Sequence, residues 1–372
     1  MPVAQETASY IPDLSFLKSG KKDHVAIICH DQPDADCLAS AMAMQSIAEF
    51  YGLSSGIYYG GELSHTQNRV MVNVLNISAS KIGEDEEDEE TRKRIIDIFE
   101  NSYLVLVDVA CFGKQPCETI SMFVPKDREP DLVIDHHDLN PKITCNYIRR
   151  PYGACSTILF EILEELAIKP SKILATALYL GISTDTYNLK AEGVSDHDSR
   201  VFETLKSLID PETYESIFNY SKPLAIVDMR RCVYNTMSIE GSIAIANAGV
   251  VSANQRSLVA EIADELLQIE SVETSVVMAI VDEGQKADKW LVASFRSQLL
   301  SLNMQDFIGK TFGKKNGGGR KGCGAAKIVL DSTIRCVLDD ILSKNSEEAL
   351  QSFTKPIFQA YAEKIKSENS NI

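Results

Sequence analysis

Three apolar, β-branched runs in the first half of the chain each end in ionisable residues, and this restricts the fold more than any other feature. HVAIICH (24–30) leads into Asp31-Gln32-Pro33-Asp34-Ala35-Asp36, YLVLVDVA (103–110) carries Asp108, and DLVIDHH (131–137) ends in Asp135-His136-His137. Each reads as a buried strand. Helical stretches lie between and after them: Asp36 to Tyr51, stopped by Gly52, then 156–168, 171–183 and 197–209. Strands alternating with helices predict a parallel α/β sheet. Ligands of such a sheet sit beyond the carboxyl ends of its strands, so the three ends gather histidines and carboxylates on one rim. A further acid, Asp185, lies in GISTDTYN at the end of a helical stretch.

The pattern lapses between about Asp210 and Arg231, where a linker is expected. Beyond it SIEGSIAIANAGV, SVVMAIVDE and KWLVASFRS read as strands, with helices at 253–268, 304–312 and 345–368. The predicted organisation is therefore a parallel-sheet α/β domain over 1–209, a linker over 210–231, and a smaller α/β domain over 232–372. A chain of 372 residues is long enough for two such cores.

Composition narrows the function. The nine cysteines form no CxxC pair and are scattered through apolar segments, which suits reduced thiols in a cytoplasmic protein. No secretory signal and no apolar run near the roughly 20 residues of a membrane span is present. A net charge of −16 argues against a coat for long nucleic acid. The charge is uneven, however: residues 84–90 (EDEEDEE) read as a solvated loop or helix start, whereas 307–330 hold six Lys/Arg and no acid. A local basic patch in an acidic protein fits a small anionic ligand.

Mixed imidazole and carboxylate donors suit a borderline divalent ion, Mn²⁺ ahead of Mg²⁺ or Co²⁺. About six ligands exceed the needs of one ion, whereas two ions roughly 3.5–4 Å apart, sharing a carboxylate and a hydroxide, use them fully and serve phosphoryl chemistry. Taken singly the segments are ambiguous. HxxxDxD can be a turn with its own polar network, Asp108 a strand end, and Asp185 a helix cap. The conjunction of four acid-bearing segments in this order carries the metal reading. A second candidate is FGKKNGGGRKGCGAAK (312–327), either a backbone cradle for an anion or a flexible turn. Ser294 and Arg296 could add an anion contact, or Arg296 could be an ordinary exposed arginine.

As a set these motifs resemble the DHH phosphoesterase superfamily, in the branch with a DHH-associated (DHHA1-type) C-terminal domain that includes nano-RNase/pAp-phosphatase and exopolyphosphatase-related proteins. HDQPDAD resembles the first family motif, VLVDVA the second, IDHHD the third and GISTDTYN the fourth. The resemblance implies that His30 and Asp34 hold one metal, that Asp36, His136 and Asp185 hold the other, and that Asp108 bridges. It implies that His137 faces the substrate phosphate and that Asp135 orients the adjacent histidines. Arg296, with the loop Gly317-Gly318-Gly319-Arg320, would grip the far end of the substrate, placing catalysis in a cleft between the domains. One departure bears on the substrate: Arg320 stands where the branch usually has histidine, and KGCG intervenes before Ala325-Ala326. Arginine preserves phosphate binding through its charged fork.

The resulting expectation is a cytoplasmic, two-metal phosphoesterase acting on a small nucleotide such as pAp or a short single-stranded oligonucleotide. A homodimer is the expected assembly, and neither long duplex nucleic acid nor a membrane is an expected partner. A phosphoanhydride hydrolase acting on polyphosphate is the alternative, and a catalytically idle nucleotide sensor the remote one.

Overall fold

The structure is a computed structural model that describes residues 14–63, 65–83, 88–112, 117–126, 128–137, 145–191, 193–284, 288–299, 301–320, 322–344 and 346–369. The chain divides into two compact units, Met1–Tyr220 and Ser221–Ile372.

The first unit is built on six parallel strands: β1 (His24–Ile28), β2 (Ser54–Gly60), β3 (Ala79–Ile82), β4 (Tyr103–Val107), β5 (Leu132–Asp135) and β6 (Asn146–Arg149). Their spatial order is β3-β2-β1-β4-β5-β6. The chain thus builds outward from β1 to β3, then returns to the opposite side of β1 as β4, so the order reverses between β1 and β4. Helices α1 (Ala35–Phe50), α2 (Thr66–Val74), α3 (Glu89–Asn101), α4 (Glu118–Ser121), α5 (Cys155–Glu165), α6 (Lys172–Asp185), α7 (Asp196–Lys206) and α8 (Pro211–Phe218) complete it. Alternate strand residues enter opposite cores. Val25, Ile27, Val105 and Ile134 pack with α1, α5 and α6, while Ala26, Ile28, Leu104 and Val133 pack with Ile95, Phe99 and Ile120 of α3 and α4. Burial on both faces explains why these strands read as unbroken apolar runs. Of the acidic run, residues 84–87 lie outside the described residues; Asp88 caps α3 by accepting from the Thr91 amide, with Glu89 and Glu90 in its first turn.

The second unit contains α9 (Ala225–Thr236), β7 (Ser238–Glu240), β8 (Ile243–Ser252), α10 (Arg256–Leu266), β9 (Thr274–Asp282), β10 (Lys289–Ser297), α11 (Met304–Phe312), β11 (Gly317–Arg320), β12 (Cys323–Val329), α12 (Ser332–Ser343) and α13 (Glu347–Asn369). Its sheet runs β11-β12-β10-β9-β8-β7, with β8 and β9 parallel and the remaining pairs antiparallel. Ile243, Val276 and Phe295 face α11 and α13, whereas Ala244, Val277 and Val292 face α9 and α10.

Two stretches differ from the sequence expectation. Residues 210–231, expected as a linker, carry α8 and the start of α9, and the boundary between the units falls at Tyr220/Ser221. Helix α8 is started by Pro211 and by Asp210, whose carboxylate accepts from the Glu212 and Thr213 amides. The glycine-rich segment is a hairpin of β11 and β12.

Candidate metal centre

The reversal between β1 and β4 opens a crevice at their carboxyl ends, and the motifs surround it. After β1 the chain turns through Gln32, which has φ +61°. It then enters α1 at Asp34, whose Oδ1 accepts from the Cys37 amide at 3.0 Å. His30, Asp34 and Asp36 therefore occupy one strand-to-helix turn. Asp108 follows β4 with φ +56°, a conformation that aspartate tolerates better than most residues, and its amide bonds the Ile134 carbonyl at 2.9 Å. Asp135 ends β5, and His136 and His137 follow it. Asp185 ends α6, where the helix dipole disfavours a carboxylate.

The two oxygens of Asp108 face different imidazoles. Oδ2 lies 3.7 Å from His30 Nε2, and Oδ1 lies 3.4 Å from His136 Nε2. His30 Nε2 is also 3.9 Å from Asp34 Oδ2, and His136 Nε2 is 3.4 Å from Asp185 Oδ2. Both rings donate from Nδ1 to carbonyls, His30 to Asp31 at 2.9 Å and His136 to Tyr152 at 3.1 Å, which aims their Nε2 atoms into the crevice. Asp36 is fully buried against the N-terminus of α5, its oxygens accepting from Cys155 at 2.6 Å and Ser156 at 2.8 Å.

Asp135 Oδ1 accepts from the His136 amide at 2.9 Å, the His137 amide at 3.2 Å and His137 Nδ1 at 2.8 Å. This carboxylate therefore holds both histidines. The His137 side chain is 37% exposed against 11% for His136, so His137 is the outward-facing member of the pair.

Electrostatics give the cluster its character. Burial pushes the Asp36 carboxyl up to about 7, reinforced by the charge of Asp108. Burial likewise lifts Asp185 well above the carboxylate range, with Asp34, Asp36 and Asp108 adding to it. Burial alone would lower His136, but the adjacent Asp108 carboxylate and the charges of Asp36 and Asp185 raise it to about 10. Burial opposes ionisation of Asp108 too, yet the two imidazoles hold it well below its ordinary value. A site that must take up protons to relieve its own negative charge is equally suited to take up cations.

The donors fit metal ions. Asp108 Oδ1 and His136 Nε2 are buried without a hydrogen-bond partner among the described residues. Asp36, His136 and Asp185 form one compact donor group, and Asp108, Asp135, His136 and His137 form another. Donors at 2.0–2.2 Å from one ion stand on the order of 3 Å apart, close to the separations seen here. His30 and Asp108 also approach Cys37, whose thiol burial pushes well up and which donates to the Val107 carbonyl at 3.5 Å. That thiol is protonated and packed.

The remaining predicted residues lie in the second unit. Arg296 Nη1 donates to Ser294 Oγ at 3.0 Å, and its Nε donates to Asp264 Oδ1 at 2.7 Å. Across the sheet Arg296 pairs with Cys323 and Cys323 with Arg320, so both arginines occupy one cross-strand row. The triple glycine has a packing reason of its own. A Cβ on Gly317 would meet the Ala325 carbonyl at 2.5 Å, and one on Gly319 would meet Met304 of α11 at 2.5 Å. Gly319 also donates its amide to Gln305 Oε1 at 2.9 Å.

Sequence reasoning missed Gly181 and Asp198. A Cβ on Gly181 would come within 2.9 Å of Asp36 Oδ1, so α6 can approach the buried carboxylate only without a side chain there. A glycine in mid-helix, one turn before Asp185, is the signal that could have revealed it. Asp198 is taken up below.

Residues 24–182 match the DHH family, N-terminal domain. An uncharacterized protein of Methanocaldococcus jannaschii is 33% identical over 336 residues, covering 89% of this chain and 63% of that protein. The cyclic-di-AMP phosphodiesterase PdeA of Listeria monocytogenes is 27% identical over 339 residues, covering 84% of this chain and 46% of that protein. The chain thus spans less than two thirds of either relative. An exopolyphosphatase-related protein from Bacteroides fragilis shares the fold, with a TM-score of 0.65 at 14% identity over 93% of this chain and 96% of that one. The family match falls on the first unit and ends just before Asp185, so residues 24–182 are similar to the DHH family, N-terminal domain.

Proposed function

We propose that this protein is a divalent-metal-dependent phosphoesterase acting on small nucleotides or short oligonucleotides. The observation that carries the reading is Asp108, a buried carboxylate whose two oxygens face two different imidazole nitrogens at 3.7 and 3.4 Å. In this reading His30 and Asp34 would hold one ion and Asp36, His136 and Asp185 the other, with Asp108 as the carboxylate that both would share. The mixed donor set favours Mn²⁺, with Mg²⁺ or Co²⁺ as alternatives. Bound as a pair, such ions activate water at neutral pH and neutralise charge on phosphoryl oxygens.

The chain's own residues do the rest. Asp135 fixes the His137 ring by accepting from Nδ1, and the imidazolium form of that ring can donate from Nε2 to a phosphoryl oxygen or pass a proton to the leaving group. Asp31 and Tyr152 carbonyls fix the tautomers of His30 and His136. In the second unit Ser294, Arg296, Gly317, Gly318, Gly319 and Arg320 would recognise the rest of an anionic substrate, with the two arginines of one cross-strand row suited to phosphate.

Phosphodiesters of nucleotides are preferred as substrates because a relative of similar sequence carries the name of a cyclic-di-AMP phosphodiesterase. The competing reading is hydrolysis of phosphoanhydrides such as polyphosphate. The test is release of phosphate and nucleotide from pAp, dinucleotides, longer RNA, cyclic dinucleotides and polyphosphate in Mn²⁺. Dinucleotides and pAp should lead the panel. Dinucleotides cleaved no faster than polyphosphate would overturn the substrate class.

A further inference from the structure

Asp36, His136 and Asp185 come from three different elements, and a single stretch of chain touches the neighbourhood of all three. The Tyr152 carbonyl accepts from His136 Nδ1, and the Cys155 and Ser156 amides donate to the two oxygens of Asp36. Gly153 packs directly on Thr186, the residue after Asp185: a Cβ on Gly153 would stand 2.7 Å from Thr186 Cγ2. Residues 152–156 are thus the frame against which these three side chains are set.

That frame is clamped from the far side by one fully buried carboxylate, Asp198 of α7. Asp198 Oδ2 accepts from the Gly153 amide at 2.8 Å, the Ser195 amide at 2.8 Å and Ser195 Oγ at 2.7 Å, while Oδ1 accepts from Thr157 Oγ1 at 2.6 Å. It therefore closes the capping box of α7 through Oδ2 and, with both oxygens, ties down residues on both sides of the α5 N-terminus. A capping box alone needs only the bonds to Ser195. The bonds to Gly153 and Thr157 have no role in capping; Gly153 lies in the frame and Thr157 directly follows it.

We infer that Asp198 is a positioning residue for the Asp36–His136–Asp185 group, setting the affinity of one of two metal ions without touching it. The inference rests on the metal-dependent reading above. Outer hydrogen-bond partners of metal ligands typically alter affinity by about 10–100-fold, and the effect here should be selective, because His30 and Asp34 are oriented by other groups.

The experiment is a Mn²⁺ titration of the metal-free full chain, followed by electron paramagnetic resonance and calorimetry. Wild type should bind two ions. Asp198→Ala should weaken one ion by about 10–100-fold and leave the other within about threefold. Asp198→Asn should restore binding, since its carbonyl can accept from Gly153 and Ser195 while its amide donates to Thr157 Oγ1. A folded Asp198→Ala that binds both ions normally overturns the inference, as does an Asn variant no better than Ala, which would assign the effect to charge. Should Asp198→Ala fail to fold, Thr157→Val removes the contact beside the frame and spares the capping box. It should show the same selective loss at about 3–10-fold, and equal binding there overturns the inference. Wild type binding no Mn²⁺ overturns the metal reading itself, an outcome distinct from normal Mn²⁺ binding by the variants.

Discussion

Replacing Asp108 by asparagine tests the proposed centre most directly, because it changes charge with little change in shape. Asp108 sits at φ +56°, a conformation asparagine also tolerates, whereas alanine would add roughly 1 kcal/mol of strain. Two effects then separate. In the metal-free protein Asp108 is the counter-ion that helps hold His136 at about 10. At 1.36 kcal/mol per pH unit, the interval down to neutral pH caps the loss at about 4 kcal/mol. Relief of the repulsion that Asp108 exerts on Asp36 and Asp185 offsets part of this, leaving on the order of 2 kcal/mol. With Mn²⁺ present the loss is larger and different in kind. An amide oxygen cannot supply the shared negative charge, so both ions should weaken and turnover should fall at least about 10³-fold, equivalent to about 4 kcal/mol. Denaturant unfolding of the metal-free chain, Mn²⁺ calorimetry and single-turnover hydrolysis read the three quantities separately. Two ions bound with unchanged affinity, together with a rate within tenfold of wild type, would refute the bridging role.

Other expectations concern separate parts of the molecule. His137→Gln should lower kcat by about 10²–10⁴-fold while Mn²⁺ stoichiometry stays at the wild-type value; loss of an ion would move His137 from substrate contact to ligand. Metal-free stability should fall as pH rises. His136 is raised in the fold, so its contribution is complete below its ordinary value of 6.5 and is lost as pH climbs through about 10; Asp36, also raised, loses its share between 3.8 and about 7. Calorimetric Tm values of EDTA-treated protein at pH 6, 8 and 10 check this, and a Tm that rises over that range contradicts it. Mn²⁺ binding should release protons at neutral pH, visible as a buffer-dependent calorimetric heat; identical heats in buffers of different ionisation enthalpy would count against it. Gly317→Val should cost the second unit about 1–3 kcal/mol with Mn²⁺ binding intact, because its Cβ meets the Ala325 carbonyl and Ile308. An unchanged Tm accompanied by a raised KM would instead favour the anion-cradle role.

The parts legible in the sequence were those where packing and chemistry agree locally. β1, β4 and β5 are buried on both faces, so their apolar runs break sharply at the crevice, and the ionisable residues mark the break. β3 and β6 were not legible, being four-residue edge strands with a single buried residue each, Ile82 and Ile148. Helix α12 escaped because only Leu338 of its twelve residues is buried. The hairpin of β11 and β12 read as a loop because glycine signals a turn by itself; only the closeness of α11 explains why a strand would dispense with side chains. Gly181 and Asp198 act across elements far apart in sequence, and such contacts leave no local pattern.

The same accounting explains how five aspartates in one crevice can have different duties. A carboxylate offers about four lone-pair directions, and what the protein already uses determines what is left. Asp135 commits one oxygen to three N–H donors, which makes it a brace for the two histidines. Asp34 gives one oxygen to the Cys37 amide and turns the other toward His30. Asp36 gives one bond from each oxygen to α5, fixing its plane while sparing a lone pair on each. Asp185 stands at the wrong end of a helix for an anion and has burial against it, so its charge needs a nearby cation. Among the described residues Asp108 and Asp185 receive no N–H bond from the backbone or from a neutral side chain, but Asp185 faces one imidazole whereas Asp108 faces imidazoles on both sides, leaving Asp108 the most capacity for two ions at once. Donor count together with the imidazoles faced, more than residue type or motif position, therefore ranks these carboxylates from brace to bridge, and binding measurements on Asp135→Asn and Asp36→Asn should follow that ranking.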